Sequence, residues 1–296
     1  MTDFRAWGVP VTLGDRRVLH PGPLRWLRAV GWMVALFFAV AFASYGSIGV
    51  LDALVPESGP THILTNGTGA LVSLILYALV VRFGENRPAD EVALRAAPGG
   101  LLAGWITGTV MFSAVMAIMF AFGLYEFAWK GPASAWESVG LTLQSGVIEE
   151  VMTRAIVLRL MWRAFGPWVA FAFSAALFGA LHLANPNATW FAAVCIAVEA
   201  GIMLGAFYAL TGRLWVSIGV HGAWNFAQGY LFGAAVSGTQ FGTGVAVSTA
   251  RDGFSPYLTG GAFGPEASIP GLIVGTGVGV LVLWMAWRAG RFSRQR

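Results

Sequence analysis

A chain of 296 residues that is 57% hydrophobic and only 11% charged, with a mean hydropathy of +0.69, is excluded from the soluble globular class. Apolar windows of membrane-crossing length recur along it, so the expected fold class is an all-α polytopic membrane protein. The net charge of +4 does not point to nucleic acid, because the basic residues are sorted by loop, and the seventeen Arg among 18 basic residues read as composition bias. The single Cys195 rules out an internal disulfide and reads as a packed thiol. No CxxC, HExxH, P-loop or dinucleotide fingerprint occurs, so no cofactor and no bound metal are expected.

In chain order, residues 1–26 form a polar, Arg-rich lead-in. The first span is expected over Leu27–Leu51; Ala41-Phe42-Ala43 mimics a signal-peptidase site, but the apolar run continues past it, so the span is retained. The second covers Ile63–Val81, the third Leu101–Phe122 and the fourth Trp136–Trp162. Gly166-Pro167 then breaks the helix. A fifth span runs to Leu183, Asn185-Pro186-Asn187 turns the chain, and spans six and seven cover Thr189–Leu210 and Leu214–Phe232. A Gly/Ser/Thr-rich connection leads to the eighth span, Ile269–Trp287, and a tail at 288–296.

With the N-terminus inside, Arg5, Arg16, Arg17, Arg25, Arg28, Arg82, Arg87, Arg95, Arg154, Arg159, Arg163, Arg213, Arg288, Arg291, Arg294 and Arg296 gather on or towards the cytoplasmic side, and only Lys130 and Arg251 fall outside. Sixteen against two is a strong positive-inside bias and requires an even number of spans. The expectation is about eight transmembrane helices in the plasma membrane, with a cytoplasmic N-terminal segment (1–26), one transmembrane domain (27–287) and a cytoplasmic tail (288–296). Small-xxx-small pairs at Gly104/Gly108, Gly201/Gly205 and Gly271/Gly275 suit close helix packing.

The fourth span carries a feature that an apolar helix avoids: Glu149 and Glu150 side by side, with Arg154 one turn on. A charge near the bilayer centre costs at least ~2.5 kcal/mol on insertion scales, so such groups face a cavity. Glu150 and Arg154 are i,i+4 and can pair, while Glu149 lies about 100° around an α-helix from Glu150 and is left free. The bland reading is a structural ion pair locking two helices; the second, unpaired acid favours chemistry. His182 ends the fifth span, His221 and Asn225 are i,i+4 on the seventh, and Glu199 lies on the sixth. Glu149 is 17 residues before Gly166 and His182 is 16 after it. At ~1.5 Å per residue both lie about 25 Å from that turn. These residues are expected to converge in an intramembrane active-site cavity reached from the cytoplasmic side. A Glu in an apolar cavity is a strong base towards water, and a His and an Asn one turn apart can present donors to an oxyanion. The set suits amide hydrolysis.

Three motifs stand in order: Glu149-Glu150-Val151-Met152-Thr153-Arg154 as EExxxR, Phe178-Gly179-Ala180-Leu181-His182 as FxxxH, and His221-Gly222-Ala223-Trp224-Asn225 as HxxxN. In this order and spacing the chain resembles the CPBP family of intramembrane proteases, which includes the CAAX prenyl endopeptidases and the bacteriocin-immunity Abi proteins. The resemblance covers residues 136–235, the expected catalytic core. It implies Glu149 as the water-activating base assisted by His182, Glu150 and Arg154 as the pair that shapes the site, and His221 with Asn225 as the oxyanion hole. Family members often carry Phe-Arg-Gly where this chain has Thr153-Arg154-Ala155, and Glu199 has no role in the pattern. The expected partners are the bilayer and a membrane-associated or lipidated peptide or protein, with no nucleic acid. The rival readings are a zinc hydrolase using the same Glu and His residues, a proton- or ion-coupled transporter, and a non-catalytic scaffold or immunity protein.

Overall fold

The computed structural model describes residues 3–292; Arg294 and Arg296, counted in the charge asymmetry, lie outside the described residues. At 71% helix the protein is an all-α polytopic fold. Eight long helices carry it: α1 (Arg25–Leu54), α2 (Gly59–Gly84), α3 (Ala97–Ala121), α4 (136–165), α5 (Pro167–Leu181), α6 (Trp190–Thr211), α7 (214–231) and α8 (Ile269–Arg288).

Six helical segments are long and apolar enough to cross a membrane; α4 and α7 are the two long helices that are not among them. Their composition explains this. α4 holds Glu137, Glu149, Glu150, Arg154, Arg159 and Arg163, and α7 holds His221, Asn225 and Gln228. Both are shielded inside the bundle: the stretch from Val151 to Trp162 is buried throughout, as is Leu214–Trp215 through Trp224 except at Val216. α6 is central too, with 72% of its most apolar window buried, against 17% for α1. The outer helices turn large apolar side chains outward, such as Phe42 at 84% exposure, the inverse of a water-soluble surface.

Glycines let the polar helices approach their neighbours. A Cβ on Gly104 or Gly108 of α3 would press into the Val216 or Val220 carbonyl oxygen of α7, so only hydrogen fits there. Between α4 and α5, Gly166 turns at φ 90° and Pro167 occupies the first helical position of α5.

Three features depart from the sequence reading. The lead-in is a packed strap. Val9 N–H donates to the Thr211 carbonyl (3.0 Å), Arg163 donates to the carbonyls of Gly14 (2.8 Å) and Leu19 (3.0 Å), and Val11 and Leu19 are buried. The connection after α7 pairs Ala246–Ala250 (β2) antiparallel with Tyr125–Trp129 (β1), Tyr125 opposite Ala250 and Trp129 opposite Ala246. Two five-residue runs some 120 positions apart leave no local signal of their pairing.

The third departure is electrostatic. Arg159, read as a residue facing the cytoplasmic side, is wholly buried. It pairs bidentately with Glu85 (2.9 and 2.7 Å). Glu85 also accepts from Arg87 Nε (2.7 Å) and Trp32 Nε1 (3.1 Å), and Arg87 reaches Glu91 (2.7 Å). Burial alone would raise the Glu85 carboxyl, but Arg159 and Arg87 hold it below its ordinary value. Two acids and two guanidinium groups thus tie the end of α2, the loop before α3 and the end of α4 into one neutral knot.

Candidate active site

The middle of α4 is wound in wide, π-type turns over Gln144–Glu149 and Val151–Leu158, a distortion that recurs at functional sites. Glu150 still meets Arg154, at 2.9 Å, and both are buried. Arg154 also donates to Thr153 Oγ1 (2.6 Å) and to the Ala200 carbonyl (2.9 Å). Ala200 belongs to a further π-type turn, Ala197–Gly201 in α6. Arg154 therefore fastens the acid-bearing helix to the centre of the bundle. Its guanidinium carbon lies 4.4 Å from the Phe178 ring centroid, a cation–π contact that shows what the aromatic residue of the second motif touches. Thr153, where relatives often have Phe, donates to the Glu149 carbonyl (2.5 Å) while accepting from Arg154.

His221 lies between the two acids. Its Nδ1 is 3.0 Å from Glu150 Oε1, and its Nε2 is 4.0 Å from Glu149 Oε2. Glu150 is closed off, but Glu149 keeps 28% of its side chain exposed. His182 donates Nδ1–H to the Phe178 carbonyl at 2.8 Å; a carbonyl only accepts, so Nε2 is the nitrogen left for other partners. Asn225 donates to Ser145 Oγ at 3.0 Å.

Two cavities meet here. One, of about 260 Å³, lies between α1, α4 and α5 and is lined by Tyr45, Glu149, Phe178 and His182. The other, of about 30 Å³, is lined by Phe178, His182, His221, Asn225, Glu199 and Glu266 and has room for a water or two. Phe178 and His182 are common to both. The structure thus brings together all six residues singled out for the site. His182 caps the end of α5 away from Gly166, and the small cavity borders Ser237 and Glu266 of the α7–α8 connection. A 15-residue helix rises ~22 Å, enough to carry His182 most of the way across from the Arg-rich end.

A family model described as type II CAAX prenyl endopeptidase Rce1-like matches residues 131–227, the segment that holds all three motifs. The match supports a CPBP/CAAX protease family assignment. The match covers about a third of the chain, from just before α4 to the second half of α7. No curated protein and no solved structure shows a significant match to the chain. Among the described residues no group of three or more His, Cys, Asp or Glu side chains is arranged to hold a metal ion.

The sequence reading missed Glu266 and left Glu199 unassigned. Glu199 is buried at 1% exposure, its Oε2 has no hydrogen-bond partner, and it lines the small cavity with Glu266. Glu266 accepts from Ser237 N–H (2.5 Å) and from the Gln228 amide. An acid in a Gly/Ser/Thr-rich connection just ahead of an apolar helix was the available signal, but nothing local tells it from a solvated loop acid.

Burial raises the Glu266 carboxyl from its ordinary 4.5 to about 7, against the opposing hydrogen bonds from Ser237 and Gln228. Between these values the folded protein holds a proton that the unfolded chain releases, so this contribution to stability is full below about pH 4.5 and is lost as pH rises through 7. Glu266→Gln is expected to flatten that part of the stability profile. Thermal melts of both proteins from pH 5 to 8 check it; parallel profiles contradict the assignment.

Proposed function

We propose that the protein is an intramembrane endopeptidase that hydrolyses a peptide bond of a membrane-associated substrate with water activated by Glu149. The observation that carries this reading is the contrast between the two adjacent acids: Glu150 is closed off by Arg154 and His221, while Glu149 faces a 260 Å³ cavity with His182 on its wall. In the proposed reaction Glu149 takes a proton from water as the oxygen attacks the carbonyl carbon. His182, oriented through Nδ1, positions that water with Nε2. The His221 side chain and the Asn225 amide form the oxyanion hole, with the Asn225 N–H donating to the oxygen that becomes charged. As the C–N bond breaks, Glu149 returns the proton to the leaving nitrogen, and the products are a carboxylate terminus and an amine terminus. The family name suggests a prenylated C-terminal tail as one substrate class, and the apolar surroundings of the cavity suit a lipidated or membrane-buried peptide.

The test is a comparison of peptide termini in membranes carrying the wild-type protein or Glu149→Gln. A terminus present only with the wild type supports the reading, and identical sets of termini reject it.

The same reading places the protein in the plasma membrane with both ends cytoplasmic, supported by the arginine asymmetry. Topology reporters at Arg296 and between Ser237 and Ala267 are expected to report opposite sides; agreement between them would reject this orientation.

A further inference from the structure

At the end of the bundle where α4 stops and α5 starts lies a separate cavity of about 510 Å³. Its charged lining residues are Arg25 at the start of α1, Arg163 near the end of α4 and Arg291 just past α8; among the described residues no carboxylate lines it. Trp162, Phe165 and Phe292 supply aromatic walls, with Trp162 and Phe292 stacked at 5.5 Å, as suits a membrane–water interface.

Arg163 and Arg291 are held by backbone carbonyls, while Asp15 attracts Arg163 and Asp3 attracts Arg291 without forming an ion pair. Arg163 donates Nε and Nη2 to the carbonyls of Gly14 and Leu19. Arg291 donates Nε to Leu210 and Nη2 to Arg5 and Gly8, all backbone carbonyls. None of the three forms an ion pair with a carboxylate among the described residues. Burial, with repulsion from Arg5 and against attraction from Asp3, pulls the Arg291 guanidinium below its ordinary value. Gly166 and Pro167, the N-terminus of the 15-residue α5, close the same wall and add the positive end of a helix dipole.

We propose that this cavity binds a phosphate group, as carried by the headgroup of an anionic phospholipid. Three guanidinium groups and a helix N-terminus are the donor set that phosphate recognition uses. The interfacial position is where a headgroup lies, and a basic pocket between transmembrane helices is a lipid-headgroup site by its electrostatics. The occupant bridges the N-terminal strap, α4 and the segment after α8. It thereby fastens the helix that carries Glu149, Glu150 and Arg154, and ligand that binds only the folded state raises stability in proportion to its saturation.

The experiment uses the full chain purified in neutral detergent. Its melting midpoint is followed at constant ionic strength while phosphatidylglycerol, phosphatidylcholine or inorganic phosphate is added. Phosphatidylglycerol is expected to raise the midpoint by several degrees and phosphatidylcholine to leave it unchanged. Arg25 is exposed and donates no hydrogen bond that holds the strap, so Arg25→Gln leaves the fold intact. It is expected to weaken the phosphatidylglycerol response about ten-fold, the loss of one charge-assisted contact, whereas Arg25→Lys retains most of it. Arg82→Gln removes a positive charge at the same end of α2 but outside the cavity, and is expected to change nothing. An Arg25-dependent shift with inorganic phosphate of equal size supports the site and names free phosphate as its source. No shift with either ligand, or a shift equally reduced by Arg25→Gln and Arg82→Gln, overturns the proposal.

Discussion

Glu149→Gln is expected to lower cleavage of an identified substrate at least ~10²-fold with folding intact. The amide keeps the shape and hydrogen-bonding reach of the carboxylate but cannot take a proton from water. Stability should change little, because Glu149 is the partly exposed acid of the pair and its Oε2 lies 4.0 Å from His221 Nε2, beyond hydrogen-bond distance. Glu150 is different in kind. Its Oε1 accepts from Arg154 at 2.9 Å and from His221 at 3.0 Å, so Glu150→Ala leaves Arg154 buried without its counter-ion and should lower stability together with activity. Cleavage and thermal unfolding measured on each variant separate the roles. If Glu149→Gln cleaves normally while Glu150→Gln is inactive and stable, the roles of the two acids are exchanged.

Glu85→Ala is expected to destabilise the protein by about 3–5 kcal/mol, a large share of the ~5–15 kcal/mol that holds a typical domain together. The variant removes the carboxylate that receives both Arg159 and Arg87. Glu91 alone then faces two buried guanidinium groups, at 3.5 Å from Arg159 and 2.7 Å from Arg87. The sign with pH follows: because Glu85 is held below its ordinary value, its contribution is full above the ordinary carboxylate range and is lost as pH falls through the lower, folded-state value. Denaturant unfolding in detergent checks the magnitude. A change under ~0.5 kcal/mol, the size of an ordinary surface substitution, would show that the four charges carry no net stabilisation.

Glu85 also marks where the sequence stops being informative. Its neighbourhood, Gly84-Glu85-Asn86-Arg87-Pro88, reads as a polar loop, and its main partner lies 74 positions away on α4. Arg159 carries the same ambiguity, since an arginine near a helix end is as compatible with snorkelling to the interface as with a buried pair. Glu266 sits in a connection rich in Gly, Ser and Thr, and only its contact with Gln228 and its place beside Glu199 reveal it as part of a cavity wall. Equal distance of Glu149 and His182 from Gly166 is a statement about depth, and it does not say which loops close the cavity.

What the sequence by itself determined is whatever one helix determines alone. An apolar run implies a span because an unpaired backbone cannot remain in lipid, and the i,i+4 spacing of Glu150 and Arg154 brings the two side chains onto one face whatever surrounds them. The same local logic makes three short motifs readable on α4, α5 and α7. Only the tertiary structure decided that His221 reaches both acids, that Arg154 is anchored on the carbonyl of Ala200 and covered by Phe178, and that Glu199 and Glu266 share a cavity. Those contacts depend on how closely and at what rotation helices pack. That is set jointly by glycines such as Gly104 and Gly108, by the wide turns in α4 and α6, and by every side chain between them, so no single stretch of the chain contains the information.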